Sequence, residues 1–99
     1  MPLTSKQRAY LRGLAHHIDP VAMIGNHGLT DEVMKKVVTE LGIHELIKVK
    51  VGEGPIETSD AAPQLAAGTG AELVQVIGHV VVLYKRRKKD PEIQLPKAT

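Results

Sequence analysis

The chain has 99 residues, 42% of them apolar, which is enough for one core and one small domain and too little for two. It holds no cysteine, so disulfides and thiolate metal sites are excluded and a reducing compartment is the natural setting. The net charge of +2 hides a segregation: Lys6, Arg8 and Arg12 without an acid among them, an unbroken basic run from Lys85 to Lys89, and Glu53, Glu57 and Asp60 in a stretch with no cation.

Leu3-Thr4-Ser5-Lys6-Gln7 reads as a helix start, with Thr4 as N-cap, Gln7 completing a capping box and Leu3 as a staple. Tyr10, Leu11 and Leu14 share one face, and on its flank Arg8, Arg12 and His16 recur every four residues as a cationic stripe. The helix must stop before Asp19-Pro20, because the residue ahead of proline avoids the helical region.

Val21 to Ile24 is a short strand that runs into Gly25-Asn26-His27-Gly28. Thr30 then caps a second helix with Asp31 and Glu32 in its first turn. Val33, Met34, Val37, Val38 and Leu41 give that helix an apolar face, and Gly42 is placed to end it.

Glu45 to Val51 alternates, with Leu46, Lys48 and Lys50 on one side of a strand and Ile47, Val49 and Val51 on the other. After the loop Gly52-Glu53-Gly54-Pro55 a third helix is expected over about Asp60 to Ala67, although Pro63 is awkward inside it. Glu72 to Ile77 and Val80 to Lys85 form a hairpin through Gly78-His79, which suits a type II′ turn. Val80 to Leu83 is apolar on both sides and needs cover on both, so the first helix is expected opposite the other two. The fold class is therefore α/β: a small α-β sandwich in the order α-β-α-β-α-β-β on a four-stranded mixed sheet. Residues 1–89 make up one domain, and 90–99 form an extended or disordered tail.

The Gly25 to Gly28 tetrad, placed between a strand and a helix N-terminus, has the form of a backbone clamp for phosphates, with free N–H groups and a positive dipole end. Its plainer reading is a tight strand-to-helix turn. With only Tyr10 and Tyr84 as aromatics, a nucleic-acid binder of this composition is expected to grip backbone and shape rather than stack bases. The five histidines show no metal-ligand spacing, and no nucleophile motif, Walker lysine or His-Glu-x-x-His is present. Neither catalysis, nor a cofactor, nor a small-molecule substrate is expected. The opening residues lack an apolar signal core and no run reaches membrane-spanning length, so a cytoplasmic location away from membranes is the expectation.

Three segments in order, Ile24 to Thr30, His44 to Val51, and Val74 to Gly78 followed by Val82 to Lys85, resemble those of the YhbY family. These are bacterial stand-alone versions of the CRM domain, the chloroplast RNA splicing and ribosome maturation module. The resemblance implies a fold similar to the C-terminal domain of translation initiation factor three, RNA binding, and association with precursors of the large ribosomal subunit. It maps the family's Gly-x-x-Gly loop onto Gly25, Asn26, His27 and Gly28, and its basic first helix onto Lys6, Arg8 and Arg12. Many CRM domains carry Lys or Arg between the glycines, and Asn26 and His27 replace that fixed charge with an amide and a titratable imidazole.

The candidate RNA-binding set is thus Gly25, Asn26, His27, Gly28, Thr30, Lys6, Arg8, Arg12, Lys48, Lys50, Arg86 and Arg87, in a protein expected to be monomeric. The plainer reading of Lys48 and Lys50 is the wet side of a strand. That of Lys85 to Lys89 is an edge-strand extension made soluble and aggregation-resistant by its charge. The alternative function is a protein-interaction module docking an acidic ribosomal or assembly partner on the same basic face.

Overall fold

The computed structural model describes residues 3–97, so the first two residues of the expected domain and the last two of the expected tail lie outside the described residues. The elements run α1 (Ser5–Ala15), β1 (Pro20–Ile24), α2 (Asp31–His44), β2 (Leu46–Val51), α3 (Thr58–Thr69), β3 (Glu72–Ile77) and β4 (Val80–Tyr84), in the expected order. The sheet has the strand order β1-β2-β4-β3, with β1 parallel to β2 and both other pairings antiparallel, which makes it mixed.

Alternation in the strands feeds two cores. Ile47, Val49 and Val51 of β2 join Val81 and Leu83 of β4 beneath α2 and α3. Leu46, Val82 and Tyr84 face the other way and meet Leu11 and Ala15 of α1, so the first helix does pack opposite the other two. Side chains such as Leu11, Ile47 and Leu83 are fully buried, each worth about 1.5–3 kcal/mol relative to exposure. Tyr84 is core, and burial followed by the nearby Glu45 carboxylate pushes its phenol pKa up, against a smaller opposite pull from Arg86. Tyr10 departs from its expected face and stands 43% exposed at the margin of α1.

Local signals account for most element ends. The Thr4 hydroxyl accepts from Gln7 N and the Gln7 carboxamide accepts from Thr4 N, both at 3.1 Å, completing the capping box. Among the hairpin's turn residues only Gly78 has a positive φ, +55°, as a type II′ turn requires.

Two helices differ in extent from expectation. Gly42 does not end α2, which continues to His44 and stops at Glu45, where φ turns to +63°. The cause is tertiary: the Glu45 carboxylate is buried and accepts from the backbone N–H groups of Arg87 (2.9 Å), Glu92 (2.6 Å) and Ile93 (2.9 Å). Those contacts draw residues 87–93 across the open end of the α1 face, where Ile93 and Leu95 pack beside Leu11 and Tyr84. The Gln7 side chain donates to the Pro96 carbonyl at 3.1 Å further along.

The helix α3 is longer than expected, Thr58–Thr69, and Gly70 ends it in the left-handed region with φ +74°. Pro63 is inside it and supplies no N–H to the Ser59 carbonyl; burial of Ala61, Ala62 and Leu65 holds the helix together regardless. Replacing this exposed proline, Pro63→Ala, is expected to stabilise the protein by about 1–2 kcal/mol, read as a rise of roughly 5–10 °C in melting temperature.

Candidate nucleic-acid interface

The Gly25 to Gly28 loop leaves the C-terminal end of β1, beside the end of its parallel neighbour β2. It closes as a turn in which Gly28 N donates to the Gly25 carbonyl at 3.1 Å, and Thr30 N then donates to the Gly28 carbonyl at 3.1 Å. Gly28 adopts φ +72°, a conformation that side chains disfavour, and is buried against Pro55. The Thr30 hydroxyl accepts from Val33 N at 3.2 Å and so serves to cap α2.

That geometry redistributes the roles within the tetrad. The Gly28 amide is consumed by the turn, whereas the amides of Asn26, His27 and Leu29 have no acceptor among the described residues. Both Asn26 and His27 are exposed at the tip. The N-terminus of α2 already faces the carboxylates of Asp31 and Glu32, which offset part of its positive end. Attraction for an anion therefore rests on the Asn26 and His27 amides together with nearby cations.

The loop has a buttress. Gly52 N donates to the Ile24 carbonyl at 2.9 Å, and a Cβ placed on Gly54 would stand 2.8 Å from the Gly25 carbonyl oxygen. The acidic-looking stretch Gly52-Glu53-Gly54-Pro55 is thus the wall that fixes the loop's shape, and sequence reasoning took it only for a connection. Its signal was two glycines flanking a single residue at the end of the strand paired with β1. Val51 N donates to the His79 carbonyl at 2.7 Å, which brings the hairpin turn to the same end of the sheet.

The cations divide between two ends. Arg12 and His16 of α1 line a small cleft with Lys48 and Gln75 on the sheet face below. Lys50 follows two residues nearer the loop, on the same face and exposed. Arg8 is half-buried one turn back, and Lys6 is exposed in the first turn of α1, farther from the loop.

Arg86 and Arg87 lie past the end of β4, a strand length or about 17 Å from the loop end of the sheet. Arg87 is committed to the fold: its guanidinium donates to the Ile43 carbonyl at 3.1 Å and to the Asp90 carbonyl, and pairs with Glu92 at 3.4 Å. Lys85 likewise donates to the Thr69 carbonyl at 2.9 Å, covering the C-terminus of α3. The structure therefore gathers the loop, Arg12, Lys48 and Lys50, and leaves Arg86 and Arg87 apart.

Among the described residues no three His, Asp or Glu side chains converge where a metal could sit, and no helix is long and apolar enough to cross a membrane.

Comparison with known proteins places this geometry in a family. The model of the CRS1 / YhbY (CRM) domain matches residues 3–85. A protein of Haemophilus influenzae that carries the name "RNA-binding protein" is 45% identical over 96 residues, covering 96% of either chain. "Probable RNA-binding protein YqeI" of Bacillus subtilis is 41% identical over 95 residues, covering 95% of this chain and 99% of its own. The solution structure of a hypothetical protein from Staphylococcus aureus superposes with a TM-score of 0.73 at 42% identity, covering 95% of this chain and 99% of that one.

Proposed function

Since the chain belongs to the CRS1 / YhbY (CRM) domain family, we propose that it is a non-catalytic RNA-binding protein that engages ribosomal RNA in precursors of the large subunit and assists their assembly. The observation that carries the reading is the buttressed loop, which offers the Asn26 and His27 amides at one end of a sheet face bearing Lys48 and Lys50, with Arg12 of α1 beside them. Amides at fixed spacing take phosphate or 2′-hydroxyl oxygens, and the cations neutralise the phosphates on either side. The protein acts as a cytoplasmic monomer on this reading.

Phosphate contact makes the complex salt-dependent. With about six phosphates engaged, affinity falls roughly a thousandfold between 50 and 200 mM salt. Replacing Arg12 and Lys48 together by alanine is expected to lower affinity for unrelated RNAs alike and to flatten the log–log salt slope by about 2, measured by fluorescence anisotropy; an unchanged slope would place the footprint elsewhere.

Sedimentation of the endogenous protein in a lysate gradient at low salt tests the assembly role. Comigration with immature large subunits, lost on nuclease or high-salt treatment, is the expected result. Comigration that resists nuclease would instead favour docking on an acidic ribosomal or assembly protein.

A further inference from the structure

One row of side chains crosses the whole sheet next to the loop without cover. The register pairs Met23 with Lys50, Lys50 with Val80, and Val80 with Ile77, so one residue from each strand stands in line on the face that carries α1. Met23 is 58% and Ile77 48% exposed, Lys50 is exposed and Val80 half-buried, because α1 and residues 93–95 cover only the opposite half of that face. With strands about 4.8 Å apart the row is roughly 14 Å long, wide enough for two bases lying flat.

We propose that the Met23–Lys50–Val80–Ile77 row is the seat for unpaired bases of the bound RNA. The inference rests on the RNA-binding reading above and adds the class of RNA: strands with bulged, looped or frayed nucleotides rather than continuous duplex. Isolated exposed apolar side chains need no explanation, but two exposed ones in register with a half-buried valine and a lysine make a continuous strip at the edge of the phosphate-binding end. A duplex presents phosphates and ribose, and neither gains from thioether and aliphatic groups. The face of an unpaired base does: the Met23 sulfur makes favourable contact with aromatic rings, and the Lys50 stem adds aliphatic surface while its ammonium stays free for the flanking phosphate.

Continuity with the phosphate contacts selects nucleic acid over a protein as the occupant. Met23 is two residues from Gly25, and Ile77 and Val80 line the cleft that holds Arg12 and Lys48. A strand whose bases lie on the row thus has its backbone between the loop amides on one side and those cations on the other. The scarcity of aromatic residues, which argued for a grip on backbone and shape alone, is compensated by strand register. Unpaired nucleotides are also the usual target of proteins that read RNA beyond its shape.

The test uses two RNA hairpins of equal length, one fully paired and one with a three-nucleotide bulge, against the full chain, its Met23→Thr/Ile77→Thr variant and its Gly25→Asp variant. Threonine keeps strand preference while removing the apolar surface. The expected result is a roughly tenfold preference of the unsubstituted protein for the bulged hairpin. The double variant loses that preference with its melting temperature and paired-hairpin affinity unchanged, and Gly25→Asp weakens both RNAs. Absence of the preference, or its survival in the double variant while Gly25→Asp still weakens binding, overturns the base seat. Failure of the unsubstituted protein to bind either hairpin overturns the RNA reading itself, and the base seat with it.

Discussion

Gly25→Asp is expected to reduce RNA affinity about a hundredfold at moderate salt while leaving the melting temperature within a degree or two of the unsubstituted protein. A Cβ at Gly25 meets nothing within 4 Å and the residue's φ is not positive, so the side chain costs the fold little. It does put a carboxylate next to the Asn26 and His27 amides, where it competes for those donors and repels an incoming phosphate. Losing charge-assisted hydrogen bonds at about 1.5–3 kcal/mol, with repulsion added, gives a factor of that size. Gly28→Asp is the less clean probe: with φ at +72° and the Pro55 ring 3.3 Å from where a Cβ would stand, it mixes loss of fold with loss of binding. Equal affinity of the Gly25→Asp protein, measured by anisotropy or filter binding, would rule out the loop as a phosphate contact.

Glu45→Ala is expected to destabilise the protein by about 3 kcal/mol, a fall of roughly 15 °C in melting temperature, and to expose residues 87–97 to proteolysis. Its carboxylate is 0% exposed and serves three backbone N–H groups that have no other acceptor among the described residues. Burial alone pushes the Glu45 pKa up; the hydrogen bonds from Arg87, Ile93 and Glu92, with the Arg87 charge, outweigh it and hold the carboxyl below its ordinary 4.5. A carboxyl depressed in the folded state binds its proton more readily when unfolded. Its stabilising contribution is therefore complete above about pH 4.5 and is lost as pH falls through the lower folded value. Acid should release the C-terminal segment, seen as a loss of protection of the Glu92 and Ile93 amides relative to their intrinsic exchange rates, and Glu45→Gln should remove most of that pH dependence. Protection factors at these two amides that are indifferent to pH would show that Glu45 does not hold them.

The sequence was legible where a local rule and the tertiary fold agree. Thr4 and Gln7, Thr30, and Gly78 each act at short range, and the alternation in β2 is the same alternation that divides the two cores. It was less legible where distant residues decide. The end of α2 depends on donors more than forty positions away, so the local signal at Gly42 was outvoted by Glu45. The extent of α3 is set by burial of Ala61, Ala62 and Leu65, which overrides Pro63. The same division runs through the interface. The tetrad could be picked out, but that Gly28 spends its own amide and that Gly54 walls the loop are facts of spatial proximity. Likewise, charge density drew Arg87 into the candidate set, whereas its guanidinium is occupied by the carbonyls of Ile43 and Asp90.

The Glu45 pin also orders events during synthesis. Its acceptor leaves the ribosome at residue 45, with α2, and its donors at residues 87, 92 and 93 come more than forty residues later. Until then the carboxylate must stay in water, and α1 has no Ile93 or Leu95 to lean on. The central strand β2 waits in the same way for β4 to pair with it. Partial chains thus hold an open sheet and a half-covered first helix, until β4 closes the sheet and residues 87–95 cover the helix. A fragment ending at Lys89, drawn where the regular elements stop, would close the sheet yet stay one step short permanently: one buried acid short of two donors, and a groove where residues 93–95 belong.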